Sequence, residues 1–535
     1  MNQQVLTSEQ LLPTVKSLCD AKRYIDAIKV VNAFVDKGFI SFDAAILCID
    51  GAQVSRDGAA IKALVEPIQR KAAKDWRTWQ LSYKAAQAVA NWQEALVALD
   101  KVAHFSLTLS GEYYLARAEV LEHLLRPEEC LEALCEAESF PGNTLASRIW
   151  HVRVSVWSQQ KRFSTIVGQA PEWLQRAPAD RNTASVWKAL GRAYDREGSY
   201  ALAYASVKKG NQAQAALEAG LIGENNTRRK IEAYKTLFSK EWVRSWTPTP
   251  QAERTPVFLI GFPRSGTTLL EQVLDAHPDI QALEEPDTIN TALAKALTYM
   301  KARASIDGVK VPVGRWKEQW LAVLNYMATL GPEQVSALRD VYFAAANADV
   351  ALQDSTCIVD KMPLNTIDIG FILRIFPEAR FIVALRHPAD CVLSGYMQTF
   401  NMNDGMANFL DLDNGASFYK HTMRLLKQYQ DVFQLGGEQM HFVRYEDVVA
   451  DLEGQARAVL KFLSLPWNDT VMRYYDHAKQ RGTLATPSYH GVTQKPYAAS
   501  IDRWQRYGEQ MTPVLHHFEE AAERFGYSLA LKGAD

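Results

Sequence analysis

Two stretches of the chain gather residue types that bind anions. In the first, GFPRSGTT, Gly261 and Gly266 bracket a short loop, so successive backbone N–H groups and the start of the following helix can point at one anion. Ser265, Thr267 and Thr268 add hydroxyl donors, and Arg264 puts a positive charge inside the loop. The spacing is that of GxxxxGK[ST], the phosphate loop of nucleoside triphosphatases, except that Thr267 stands where the lysine belongs. That lysine neutralises β- and γ-phosphates, so this loop suits fewer phosphates. In the second stretch, RFIVALRHPADCVLSGYMQ, Ser394 follows Arg386 by eight residues. One tight turn plus about one helical turn then brings guanidinium and hydroxyl to a single anion. Two anion sites on one sheet point to a nucleotide phosphorylated at two places. Standing alone, the Arg386 to Ser394 spacing reads as a surface ion pair.

Positioning these groups takes a strand, a turn and a helix twice over. Val257 to Ile260 reads as a short buried strand, followed by the loop and by an amphipathic helix that stops near His277 and Pro278. A second strand beginning at Arg380 ends at Arg386 and runs through Pro388 into another helix. Upstream, to about residue 245, the sequence is rich in Ala, Leu, Lys and Glu and lacks alternating strand patterns, which predicts helix throughout. A small residue recurs there, often three positions after an aromatic: Ala27 after Tyr24, Ala95 after Trp92, Ala203 after Tyr200. Ala60, Cys130 and Thr165 are further equivalents, giving steps of 33 to 38 residues. The best copy is Trp187, Leu190, Gly191, Tyr194 and Ala203. Residues 8 to 215 thus resemble the tetratricopeptide family, and the resemblance implies a solenoid of stacked helix pairs. Such an array has a concave face that can hold an extended peptide or protein, or it serves as a platform for packing or for a homodimer. Three prolines in SWTPTPQAERTP, Ser245 to Pro256, mark a boundary. The expected organisation is therefore a helical repeat domain over 1–245 and a second domain over 255–535.

Composition sets the outer bounds. A chain of 535 residues exceeds what one core serves, roughly 250 to 300 residues. Apolar residues at 47% and charged residues at 22% are those of a globular protein. Lys plus Arg total 59 against 61 Asp plus Glu, so no global charge draws the chain to nucleic acid or an anionic membrane. Six cysteines without a CxxC fit neither a disulfide scaffold nor a zinc module, and no cluster has metal-ligand spacing. With no leader-like N-terminus and no run of 18 apolar residues, the expectation is a soluble cytoplasmic protein without a membrane span and without a metal.

The pairing of GFPRSGTT with the Arg386 to Ser394 segment resembles the sulfotransferases that use 3'-phosphoadenosine 5'-phosphosulfate (PAPS). The stretch from about Thr255 to Trp504 is similar to the tyrosylprotein sulfotransferase branch in particular. The resemblance implies a mostly parallel α/β sheet of the P-loop nucleotide-kinase type, transfer of a sulfonate group from PAPS to an acceptor hydroxyl, and adenosine 3',5'-bisphosphate as product. The acceptor class, whether protein or peptide tyrosine, glycan or lipid, stays open. The first loop, Arg264 to Thr268, is implied to hold the 5'-phosphosulfate, and Arg386 with Ser394 the 3'-phosphate. In DAHPDIQALEEP the family position of the catalytic base falls on Glu285 in preference to Glu284. Lys361, in CIVDKMP, falls where the family has a lysine reaching the bridging oxygen, with Arg264 sharing the charge stabilisation. Tyr445, in VRYEDV, matches an adenine-side tyrosine, and Ser488 with Lys495, in TPSYHGVTQKPY, match a late loop over the cofactor. His277 is an alternative base whose place before Pro278 favours a structural role. Trp316, Trp320, Tyr326 and Tyr342, in the insertion 286–356, are expected to shape the acceptor pocket. The chain departs from the secretory-pathway enzymes in having a helical array where they carry a membrane anchor and disulfides. Two rivals remain: a P-loop kinase using Asp360 as its magnesium carboxylate, and a repeat scaffold with a non-catalytic nucleotide-binding domain.

Overall fold

The computed structural model describes residues 7–54, 57–141, 143–309, 321–353, 356–476 and 500–532. Ser488, Lys495, Trp316 and Trp320 lie outside the described residues. The chain divides into two compact units, Met1–Gly198 and Ser199–Asp535.

The first unit is helical, running from Ser8–Asp20 to Arg181–Arg196. Its helices start where short polar side chains satisfy open backbone donors: Asp57 accepts from the Ala60 N–H, Asn91 from Glu94, Ser110 from Tyr113 and Asp180 from Thr183. Apolar faces pair locally into successive cores. One holds Val15, Ala27, Cys48 and Leu64, the next Leu96, Leu115, Cys130 and Ile149, and a third Trp157, Ile166, Ala170 and Leu190. Ala27, Ala95 and Cys130 are fully buried. Ala60 and Thr165 are half-buried, and the next residues, Ile61 and Ile166, take the core positions instead.

The second unit is built on five parallel strands: β1 (Val257–Gly261), β2 (Ile280–Glu284), β3 (Cys357–Lys361), β4 (Arg380–Leu385) and β5 (Met440–Arg444). Their order is β2-β3-β1-β4-β5, with β1 paired to β3 and β4. Every residue of β1 is buried, as a strand covered on both faces requires. Val257 and Leu259 join Leu270, Val273, Ile382, Ala384 and Val459 on one face. Phe258 points to the other, meeting Phe381, Tyr342 and Phe376 at ring-centroid distances of 5.9, 6.2 and 6.4 Å.

The compact unit begins at Ser199, well before the proline-rich stretch. The reason is a set of contacts from the helices Tyr200–Leu217 and Asn226–Leu237. Lys230 Nζ lies 2.6 Å from the Asp368 carboxylate, with side chains 15% and 7% exposed, and Tyr234 OH donates to the same group at 3.3 Å. Asn211 donates to the Tyr396 carbonyl, and Arg228 to Asn408. The insertion is helical where described, over Thr288–Ile306 and Pro332–Asp349. Tyr342, expected at an acceptor pocket, is instead fully buried with its hydroxyl on Asp360, which makes it core; Tyr326 is half-buried.

Candidate functional site

The ends of the strands collect the candidate residues. In a parallel sheet all C-terminal ends lie at one edge, where ligands bind. The loop follows β1, Glu285 follows β2, Lys361 ends β3, Arg386 follows β4 and Tyr445 follows β5. All five strands thus deliver a candidate to the same edge.

The loop is shaped by its glycines. A Cβ on Gly261 would stand 2.6 Å from the Ala384 carbonyl and 2.7 Å from Ser265 Oγ. Gly266 has φ 95°, and a Cβ there would stand 2.7 Å from the Tyr445 ring. Arg264 also takes a left-handed backbone, φ 72°. Thr267 and Thr268, both buried, open the helix Thr267–Asp275, and Thr366 Oγ1 donates to the Gly261 carbonyl at 2.8 Å.

Two guanidinium groups converge beside this loop. Arg264 Nε donates to Ser394 Oγ at 3.1 Å, and Arg386 Nη1 donates to the Arg264 carbonyl at 3.2 Å. Ser394 therefore meets Arg264, while Arg386 reaches the Ser500 carbonyl at 2.6 Å and lies over the Tyr445 ring at 5.0 Å. Tyr445 OH is 3.3 Å from Ser500 Oγ. Burial, followed by the neighbouring charge of Arg386, pulls Arg264 down to about 10, and an anion placed here would offset the repulsion between the two guanidinium groups. Two buried donors point the same way. Ser265 Oγ and Arg386 Nε have no hydrogen-bond partner, and both suit phosphate-type oxygens. The residues present thus fit a nucleotide with acidic oxygens on the loop.

A carboxylate and ammonium cluster lies at the neighbouring strand ends. Lys361, fully buried, places Nζ 3.0 Å from Glu285 Oε1 and 3.4 Å from Glu271 Oε2. The Glu285 N–H donates to the Lys361 carbonyl at 2.8 Å, extending the β2–β3 ladder past Glu284. Burial acts to lower the Lys361 ammonium, but Glu271, Glu285 and Glu284 outweigh it, so the group is held above its ordinary value. Glu285 is 41% exposed and can face an incoming molecule.

Two other candidates are engaged elsewhere. His277 accepts the Asp279 N–H on Nδ1 at 3.1 Å, so Nε2 carries the proton it donates to the Pro466 carbonyl at 2.9 Å. Both nitrogens thus brace the turn after the loop helix. Asp360 is buried and takes bonds from Thr288 at 2.7 Å and Tyr342 at 2.8 Å. Among the described residues, Asp413, His516 and His517 offer donor atoms within 4.8 Å of one another, a group separate from the Lys361 cluster.

Residues 256–469 match the sulfotransferase family. This part of the chain is a sulfotransferase-family domain. Beyond it, the chain is 26% identical over 454 residues to an uncharacterized protein of Aquifex aeolicus (strain VF5), covering 77% of this chain and 55% of that one. It is 25% identical to protein-tyrosine sulfotransferase 1 of Danio rerio over 43% of this chain and 58% of the relative. The chain thus spans little more than half the length of these relatives. The solved sulfotransferase domain from the Synechococcus PCC 7002 olefin synthase covers 53% of this chain and 99% of its own, at 21% identity and a TM-score of 0.35, too low to argue from.

Within the sulfotransferase domain, sequence reasoning overlooked Glu271, Ser500 and Arg503. Glu271 had a signal: it lies four residues after Thr267, on the same face of the loop helix, as a lone charge in LLEQVL. Arg503 adds to the positive field that depresses Arg264. Glu446 was also missed; it accepts the His387 N–H at 2.9 Å and Tyr527 OH at 3.0 Å, bracing the turn after Arg386.

Proposed function

We propose that this chain transfers a sulfonate group from PAPS to an acceptor hydroxyl. The observation that carries the reading is the meeting, at one sheet edge, of a short-phosphate loop, two guanidinium groups and the Lys361–Glu285 pair. When bound, PAPS supplies the sulfonate and a bisphosphate leaving group. Loop donors Ser265, Thr267 and Thr268 and the first-turn N–H groups hold acidic oxygens at the 5' side, and Arg386 with Ser394 serves the 3' side. Tyr445 offers a face for the base, and Ser488 and Lys495 belong to the segment proposed to cover it. Glu285 takes the acceptor proton as the oxygen forms its bond to sulfur. Lys361 and Arg264 stabilise the negative charge left on the departing phosphate oxygen.

Relatives named protein-tyrosine sulfotransferase make a peptide tyrosine the first acceptor to test. The first unit is read as a tetratricopeptide-type solenoid that captures a peptide or protein acceptor, or serves assembly. Six free cysteines support a reducing, cytoplasmic setting, and among the described residues no helix is long and apolar enough to cross a membrane. The kinase alternative is weakened by Thr267 in place of lysine and by Asp360, whose Oδ2 accepts from Thr288 and Tyr342 and whose Oδ1 accepts from Asn365.

The test is ligand choice followed by product. Adenosine 3',5'-bisphosphate should raise the melting temperature, since a ligand at a hundredfold its Kd adds about 2.7 kcal/mol to the folded state. ATP with magnesium should do much less, and a larger ATP shift overturns the reading. Label from PAPS should then appear in an acceptor pool. Bisphosphate binding without any such transfer favours the scaffold.

A further inference from the structure

Lys361 is fully buried between carboxylates that differ in kind. Glu285, after β2, is 41% exposed; Glu271, on the loop helix, is 0% exposed and receives Gln272 Nε2 on its other oxygen at 3.3 Å. The groups facing Lys361 are these two and Glu284, with Arg264 in electrostatic reach of Glu285. A carboxylate bonded to an ammonium is a poor proton acceptor, because the cation favours its ionised form. Glu285 must therefore loosen its bond to Lys361 before it can take a proton, and it is neutral afterwards. A buried ammonium left without a counter-charge loses its proton or is driven from its place.

We propose that Glu271 is a positioning residue for Lys361, holding the ammonium in place and charged while Glu285 exchanges its bond to Lys361 for the acceptor hydroxyl. The proposal rests on the sulfonate-transfer reading above. The charge count supports it. Glu271, Glu284, Glu285 and Lys361 together carry two net negative charges, and once Glu285 binds the acceptor proton Glu271, at 3.4 Å, is the carboxylate left in ion-pair contact with the ammonium. Sealed inside the loop helix, Glu271 cannot follow the acceptor, so the two carboxylates divide the work. The exposed one moves a proton and the buried one stays.

The first arm of the test needs neither donor nor acceptor. Thermal midpoints of the full chain and of Glu271→Gln are compared from roughly pH 6 to 11. In the parent protein Lys361 is raised, so its stabilising contribution is present at neutral pH and lost only as pH rises through the folded value. In Glu271→Gln the first of the counter-charges is gone and Lys361 falls relative to the parent, so the two proteins should differ most near neutrality and the difference should narrow as pH rises toward the parent's raised value. A difference independent of pH overturns the proposal. Should Glu271→Gln fail to fold, adding Lys361→Met must restore folding by removing the uncompensated cation; failure of that rescue overturns it too. In the second arm, Glu271→Gln should lower kcat about ten- to hundredfold with KM nearly unchanged and move the alkaline limb of the pH profile down by about one unit or more, while Glu271→Asp recovers the limb. If no acceptor is ever sulfonated, the first arm still decides the Glu271–Lys361 link. A pH-independent difference alongside measurable transfer sinks Glu271 and leaves the reaction standing.

Discussion

Glu284 and Glu285 are adjacent and chemically identical, yet the fold gives them different surroundings. Glu285 has φ 47°, a left-handed conformation uncommon for its side-chain type, and its N–H stays tied to the Lys361 carbonyl. That combination lets its carboxylate meet the ammonium while remaining 41% exposed; Glu284 Oε1 is buried without a hydrogen-bond partner. Glu285→Gln should therefore cut turnover by about two to four orders of magnitude while leaving bisphosphate affinity nearly unchanged. Arg386→Ala should act in the opposite sense. It should weaken bisphosphate binding by about 1.5–3 kcal/mol, with less effect on the chemical step at saturation. Initial rates and calorimetric titration of both variants check the pair, and an Arg386→Ala protein that binds normally refutes the anion role. If Glu284→Gln abolishes turnover and Glu285→Gln does not, the base is the neighbour.

At the scale of elements, local signals were readable and long-range ones were not. β1 was evident because four consecutive apolar residues precede a glycine, and the helix after β4 because Pro388 sits at its first turn. The Lys361–Glu285 pair was reached through family position, since nothing local ties residue 285 to residue 361. Glu271 is marked locally only as a lone charge in an apolar helix, while its partner, a lysine delivered by β3, is not legible from the local sequence. Arg386 and Ser394 are expected to converge on one anion, and the spacing gave no sign that Arg264, in its left-handed turn, also lies beside Ser394. Gly266 is where element geometry is most exposed to test. Gly266→Ala combines the left-handed cost, about 1–2 kcal/mol, with a Cβ only 2.7 Å from Tyr445. It should lower the melting temperature and abolish the bisphosphate-induced shift; an unchanged shift shows that the loop tolerates distortion and is not the anion cradle.

For the molecule as a whole, the boundary of the second unit at Ser199 sets where the chain can be cut. Removing residues 1–198 keeps Lys230 and Tyr234 on Asp368. Removing 1–245 strands that carboxylate, and breaking a buried ion pair typically costs about 3–5 kcal/mol. Urea unfolding should find 199–535 cooperative and bisphosphate-binding, and 246–535 markedly weaker or insoluble. Equal stability of the two would place the boundary at the prolines after all. The strand order has a further consequence, in the timing of assembly. β1 is the first strand of the sheet in the chain but its central member, and both neighbours, β3 and β4, come after the long insertion. A nascent chain therefore carries the loop on an apolar strand with both edges open until Lys361 has been made and one edge open until Leu385 has. Such delayed parallel pairing is slow and prone to association with other chains. If the proposed nucleotide site holds, its ligand cannot template this step, because the residues proposed to hold it do not yet share an edge; it can only delay the escape of a sheet already closed.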